Sequence, residues 1–142
     1  MARRVLFVCT QNSCRSQMAE GWLSSMNDGY FEVFSAGTKA TFVNPFTQIV
    51  MLEAGVDISK QYSKTIDELG QKEFDFVIAV CDAAHDACPN LRGTVATLHW
   101  SIEDPAKGQG SRQVKLDKFR RIRDEIHSLI KDFIQNQVRY LK

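Results

Sequence analysis

Four short strand-like runs, separated by helical and loop stretches, constrain this chain more than any other feature. Arg4-Val5-Leu6-Phe7-Val8-Cys9 is continuously apolar after its first residue, which suits a strand buried on both faces. Phe31-Glu32-Val33-Phe34-Ser35-Ala36 alternates weakly and ends at Gly37. Phe74-Asp75-Phe76-Val77-Ile78-Ala79-Val80-Cys81 is the strongest strand signal, being rich in β-branched and aromatic residues, and Val95-Ala96-Thr97-Leu98-His99-Trp100 is the fourth. Between the first two runs, Met18, Trp22, Leu23 and Met26 recur at helical spacing. Asn44-Pro45 supplies an N-cap and a first-turn proline for a helix over about 45–54, which Gly55 ends. Residues 101–112 are rich in Gly, Ser and Pro and read as a loop. From about 113 to 138, Phe119, Ile122, Ile126, Leu129, Ile130, Phe133 and Ile134 repeat at three- and four-residue steps, as in one long amphipathic helix. Strands joined by helical crossovers pair in parallel. The expected fold is therefore α/β, a small doubly wound four-stranded parallel sheet with helices on both faces, forming one domain over 1–142. In such sheets ligands bind beyond the carboxyl ends of the strands, and three of the four cysteines fall in or just after those ends.

Charge and hydropathy narrow the function. Lys and Arg total 18 against 17 Asp and Glu, a net charge of +1, and 44% of the 142 residues are apolar. That composition argues against a disordered chain, a collagen or a basic nucleic-acid-binding domain. The longest apolar runs, Val5 to Val8 and Phe76 to Cys81, fall far short of the ~20 residues that cross a bilayer, so no membrane is expected. Met1-Ala2-Arg3-Arg4 leads into a run too short for a signal-peptide core, which points to the cytoplasm. There four cysteines are read as reduced, metal-bound or catalytic rather than as structural disulfides. Their spacings of five, sixty-seven and seven contain no Cys-x-x-Cys pair, which argues against zinc.

Cys9-Thr10-Gln11-Asn12-Ser13-Cys14-Arg15-Ser16 joins the first strand to the first helix. Free backbone N–H groups and the helix dipole at such a junction favour a tetrahedral oxyanion, and the same field stabilises the thiolate form of Cys9. Arg15 closes the loop with a planar fork that meets two oxygens at once. Asn12 is a residue type that tolerates the left-handed conformation a tight loop needs, and the Ser16 hydroxyl is placed to hydrogen-bond the thiolate. Cys14 is read as a bystander thiol. Cys81 and Cys88 flank Asp82-Ala83-Ala84-His85-Asp86-Ala87, a polar, Ala-containing stretch suited to a short, marginal helix. They are either a strand-end thiol and a surface thiol or the partners of a thiol–disulfide relay. Asp104-Pro105, after the fourth strand, is either a turn or the site of a general acid. His85 is read as solvated, and His99-Trp100 as strand-end packing.

The loop and the following Gln17-Met18-Ala19-Glu20-Gly21-Trp22 resemble the anion loop and first helix of the thioredoxin-coupled arsenate reductases built on the low-molecular-weight protein tyrosine phosphatase fold. Ser35-Ala36-Gly37, Val43-Asn44-Pro45, Gly55-Val56-Asp57-Ile58-Ser59, Cys81 through Cys88-Pro89, His99-Trp100, Asp104-Pro105-Ala106 and Arg121-Ile122-Arg123-Asp124-Glu125-Ile126 extend the resemblance over nearly the whole chain. It implies a flavodoxin-like sheet of the low-molecular-weight phosphatase type and reduction of arsenate to arsenite. Catalysis is then carried by Cys9, Arg15, Cys81, Cys88 and Asp104, with a transient Cys9–Cys81 disulfide and a final Cys81–Cys88 disulfide reduced by thioredoxin. No bound cofactor and a monomer are expected. The competing reading is a phosphatase that uses Cys9, Arg15 and Asp104 on phosphate monoesters and has no use for Cys81 and Cys88.

One departure stands out. Some relatives hold potassium near the loop with residues matching Asn12, Glu20 and Ser35 and an Asp after the segment matching Tyr62-Ser63. This chain has Lys64 there. Its ammonium opposes a bound cation and can supply the charge itself, so no potassium site is expected. Ser101-Ile102-Glu103 also replaces the Gly-Phe-Asp common before the catalytic Asp.

Overall fold

β1 (Arg3–Cys9) is the spine of the structure, pairing in parallel with β2 (Phe31–Gly37) on one side and with β3 (Phe76–Ala79) on the other. β4 (Ala96–His99) adds beyond β3, so the order is β2-β1-β3-β4 with every pair parallel. The computed structural model describes residues 2–70, 72–87 and 91–141. Four helices accompany the strands among these residues: α1 (Arg15–Met26), α2 (Pro45–Glu53), α3 (Asp82–Ala87) and α4 (Arg112–Leu141).

Apolar continuity in β1 reflects burial on both faces, with Val5, Leu6, Phe7 and Val8 all buried. Successive side chains of a strand point to opposite faces, so Phe7 and Val8 report the two layers. Phe7 meets Trp100, and Trp100 and Phe76 meet Phe133 of α4, at ring-centroid distances of 6.0, 6.3 and 5.1 Å respectively. Val8 and Ala79 instead line a small cleft with Ala84 and His85 of α3. Helices thus cover both faces. On the α4 side, α1 is pinned by the Trp22 indole donating to the Arg123 carbonyl at 3.1 Å, and α2 by Arg123 donating to the Val50 carbonyl at 2.9 Å. Each fully buried large apolar side chain in this core is worth roughly 1.5–3 kcal/mol of transfer free energy.

Helix ends follow local chemistry. The Asn44 side chain accepts from the Phe46 N–H with Pro45 in the first turn, and Gly55, at φ +86°, lets Val56 N–H close back on the Met51 carbonyl. Ser111 Oγ accepts from Val114 N–H at 3.2 Å, so α4 starts at Arg112, inside the stretch the composition assigns to a loop. β3 is shorter than the Phe74–Cys81 run. Asp75 N–H and Val80 N–H still donate to Arg4 and Val8 of β1, but the ladder with β4 covers only Phe76 to Ala79. A single 3₁₀ turn at Asp67–Leu69 carries no periodic signal in the sequence. No helix among the described residues is long and apolar enough to cross a membrane.

Candidate active site

The carboxyl ends of β1 and β3 open into a cleft of about 660 Å³ lined by the Cys9–Arg15 loop, by Cys81, and by the Ile102–Asp104 segment beyond β4. This is the edge at which the parallel sheet changes winding direction, where the sequence places the anion loop. Gly37, at the end of β2, explains how the loop fits so closely there. A Cβ at Gly37 would stand 2.7 Å from the Thr10 carbonyl oxygen and 2.9 Å from the Asn12 nitrogen. Lys39 N–H donates to that Thr10 carbonyl at 2.9 Å, tying the loop to the strand end.

Within the loop, Cys9 Sγ lies 2.8 Å from Ser16 Oγ and accepts from Asn12 N–H at 3.2 Å. Asn12 adopts φ +52°, in the left-handed region expected for it, a conformation that costs a non-glycine residue about 1–3 kcal/mol and persists where the surroundings over-determine it. They do so here. The Asn12 amide donates to Ser16 Oγ at 2.8 Å and to Ser35 Oγ at 3.0 Å, and its carbonyl accepts from Gln17 Nε2 at 2.9 Å and Lys64 N–H at 3.0 Å. Gln61 in turn donates to Gln17 Oε1 at 2.8 Å. The residue before α1, Cys14, makes no side-chain capping bond to the helix, so the first-turn amides of α1 face the loop uncapped, as an anion cradle requires.

Arg15 reaches across the cleft. Its Nη1 donates to the Ile102 carbonyl at 2.9 Å and its Nη2 lies 3.8 Å from Asp104 Oδ2. Asp104 Oδ1 accepts from Ala106 N–H at 2.9 Å, so its Asp-Pro-Ala turn and its position opposite the loop are one and the same arrangement. The departure at 101–103 therefore leaves Asp104 facing Arg15.

Cys81 Sγ lies 3.6 Å from Thr10 Oγ1 and accepts from Ala84 N–H at 3.4 Å, so this buried thiol touches the residue that follows Cys9. Among the described residues Cys9, Cys14 and Cys81 are free. Cys88 lies outside the described residues. Cys14 is buried and burial pushes its thiol up to about 11, which keeps it protonated at neutral pH.

Beside the loop, Ser35 Oγ donates to Glu20 Oε1 at 2.5 Å, and Lys64 Nζ lies 3.8 Å from the same oxygen while donating to the Tyr62 carbonyl at 3.0 Å. The four residues of the departure thus meet, with the Lys64 side chain buried among them. Burial pushes the Glu20 carboxyl above the ordinary carboxylate range, and Ser35 and Lys64 pull it part of the way back.

Sequence reasoning missed a second cluster. His99 Nε2 lies 2.9 Å from Asp82 Oδ1, Ser101 Oγ donates to that oxygen at 3.0 Å, and the His85 ring stacks on His99 at 4.3 Å. His85 remains exposed as expected, but it is stacked rather than free; Trp100 packs at the strand end as expected. The bonds of Gln17 and Gln61 carry no sequence signal either, since a lone glutamine leaves no periodic trace, whether buried on α1 like Gln17 or in a loop like Gln61.

Known proteins resemble this chain over nearly its whole length. An arsenate reductase from Halalkalibacterium halodurans is 44% identical over 131 residues, covering 92% of this chain and 94% of that protein. A solved arsenate reductase in an oxidized state superimposes with a TM-score of 0.81 at 32% identity, covering 94% of this chain and 98% of the other. The arginine phosphatase YwlE from Geobacillus stearothermophilus gives the same TM-score at 26% identity, covering 98% and 96%. Residues 4–140 match the family described as low molecular weight phosphotyrosine protein phosphatase, and over that length the chain belongs to that family.

Proposed function

We propose that this protein reduces arsenate to arsenite through a three-cysteine relay regenerated by thioredoxin, acting in the cytoplasm as part of arsenic detoxification. The observation that carries the reading is Cys81 beside Thr10 in the cleft of the Cys9 loop. Hydrolysis of a phosphate ester has no step for a second thiol there.

In the first step the Cys9 thiolate bonds to arsenic in an arsenate held by the loop amides and Arg15, and the departing oxygen takes a proton from Asp104 and leaves as water. The Cys81 thiolate then attacks Cys9 Sγ. A sulfur–sulfur bond forms, the arsenic–sulfur bond breaks with its electron pair staying on arsenic, and arsenite leaves. Arsenic has gained two electrons and the two thiols have lost them. Cys88 next attacks Cys81 Sγ, releasing Cys9 as thiolate, and thioredoxin reduces the Cys81–Cys88 disulfide. The protein's own sulfurs carry both electrons, so no bound redox cofactor takes part.

A second reading, hydrolysis of phosphate monoesters, is favoured by Phe42, a ring 63% exposed on the wall of the same cleft. Cys9, Arg15 and Asp104 suffice for it as a side activity of the same loop. A thioredoxin-coupled turnover assay tests the main reading. Wild type turns over arsenate repeatedly and Cys88→Ser releases at most one arsenite per enzyme. Phosphatase activity without any arsenate turnover overturns it.

A further inference from the structure

Donor accounting around Asn12 gives Lys64 a task that extends beyond replacing a cation. The Lys64 backbone N–H is a donor only, so the Asn12 atom that faces it at 3.0 Å must be the carbonyl oxygen. The amide nitrogen of Asn12 therefore points at Ser16 and Ser35, and both hydroxyl oxygens accept from it. Each serine is left with one hydrogen. That of Ser35 goes to Glu20 Oε1, and that of Ser16 faces Cys9 Sγ at 2.8 Å. Two donor arms thus diverge from the Asn12 amide, one through Ser16 to the Cys9 sulfur and the other through Ser35 to the Glu20 carboxylate, beside which the Lys64 ammonium sits. The direction holds while Glu20 is an anion. A protonated Glu20 donates to Ser35, whose own hydrogen then competes for a place along the Asn12 bond.

We propose that the Lys64–Glu20 ion pair is a positioning device for the nucleophile: by keeping Glu20 an acceptor it locks Asn12 in its left-handed conformation and directs the Ser16 hydroxyl hydrogen at Cys9. The inference rests on Cys9 being the nucleophile of the reaction above. Ser16, Asn12 and Ser35 are fully buried and Lys64 is 7% exposed, so water has little access to substitute for a missing member. A buried carboxylate whose cation is removed takes up a proton more readily, which reverses the Ser35–Glu20 bond and turns the Ser35 hydrogen against the Asn12 amide that also orients Ser16.

The test follows alkylation of Cys9 by iodoacetamide against pH, read by mass spectrometry of the Cys9 peptide, beside arsenate turnover. Lys64→Met removes the charge and keeps the bulk. It is expected to move the midpoint of the Cys9 profile upward by roughly one pH unit, as for weakening one hydrogen bond to an ionised group, and to lower kcat about tenfold with little change in KM. Lys64→Arg restores most of both. Glu20→Gln is expected to shift the midpoint in the same direction, and adding Lys64→Met to it to move the midpoint little further. The double variant leaves no orphan charge, so it keeps the question open to measurement should Lys64→Met alone fold poorly. The groups that share the cleft with Cys9 are unchanged in every variant: Cys14 and Arg15 on its own loop, Cys81 and Asp82 after β3, and Glu103, Asp104 and Lys107. An unaltered Cys9 profile in folded Lys64→Met, or additive shifts in the double variant, overturns the proposal. A shifted profile in a protein whose wild type has no arsenate turnover upholds Lys64 and removes the arsenate reading.

Discussion

Cys9 and Cys81 both end strands, and each is only 3% exposed, yet they sit in opposite kinds of surroundings. Around Cys9 the chain bends back on itself through Asn12, Ser16 and Gln17, and Ser35 and Lys64 from distant parts of the sequence claim the remaining Asn12 atoms. Around Cys81 the segment that follows is one short helix. It is held by Ala84 in the core and by a small cluster of contacts from Asp82 and His85 to His99 and Ser101, whose side chains are part-exposed. An anion-stabilising loop has to be rigid because its donors must be aimed before the charge develops. A relay thiol has to travel, and so belongs on a segment with little apolar surface to bind it. In the relay proposed above, the two cysteines divide these demands between them.

The rigid side breaks most completely. Cys9→Ser is expected to abolish arsenate reduction and any phosphate monoester hydrolysis together, since the alcohol is far less ionised and cannot carry the oxidation. Steady-state assays with both substrates check this. Arg15→Lys replaces a two-pronged donor by a point charge and loosens the hold on Ile102 and Asp104; a loss of about 10²-fold in kcat/KM for both activities is expected, and near-normal kinetics would make Arg15 a structural residue only.

The Cys81 side is expected to respond to gentler changes. His99→Ala removes both the Asp82 contact and the stacking partner of His85. Amide hydrogen exchange over 82–87 is expected to quicken about two- to fivefold, the scale of a part-exposed pair, with exchange in β1 and anion binding unchanged. Smallest of all is the response to potassium. With Lys64 seated between Glu20 and Tyr62, replacing sodium by potassium at equal ionic strength is expected to change turnover less than twofold and to leave Tm unchanged; a potassium-specific rise in Tm contradicts the seating of Lys64.

The same contrast governs what the sequence reveals. The β1-loop-α1 unit is legible because strand, loop and helix signals follow one another within two dozen residues, and Asn44 and Gly55 announce α2 for the same reason. Asp104 is legible as a turn, and its place opposite Arg15 only through the resemblance, since 89 positions separate the two and the sheet order alone brings them together. His99 with Asp82 and Glu20 with Lys64 are pairs of this second kind. The register of β3 against β4 fixes the first, and the packing of α1 beside the 62–64 turn fixes the other. No local pattern marks either. Lys64 stands out in the sequence as a substitution, whereas its link to the Cys9 thiol depends on the direction of each hydrogen bond around Asn12, which no sequence pattern carries.

The division of labour between a fixed and a travelling thiol is tested most directly in Cys88→Ser. After one equivalent of arsenate without thioredoxin, mass spectrometry of unreduced peptides is expected to find Cys9 joined to Cys81 and about one arsenite released per enzyme, with phosphatase activity lost in step with the disulfide. Cys81→Ser under the same conditions should release none and keep its phosphatase activity. A Cys9–Cys14 disulfide in place of Cys9–Cys81, or repeated turnover undiminished without Cys88, would contradict the relay.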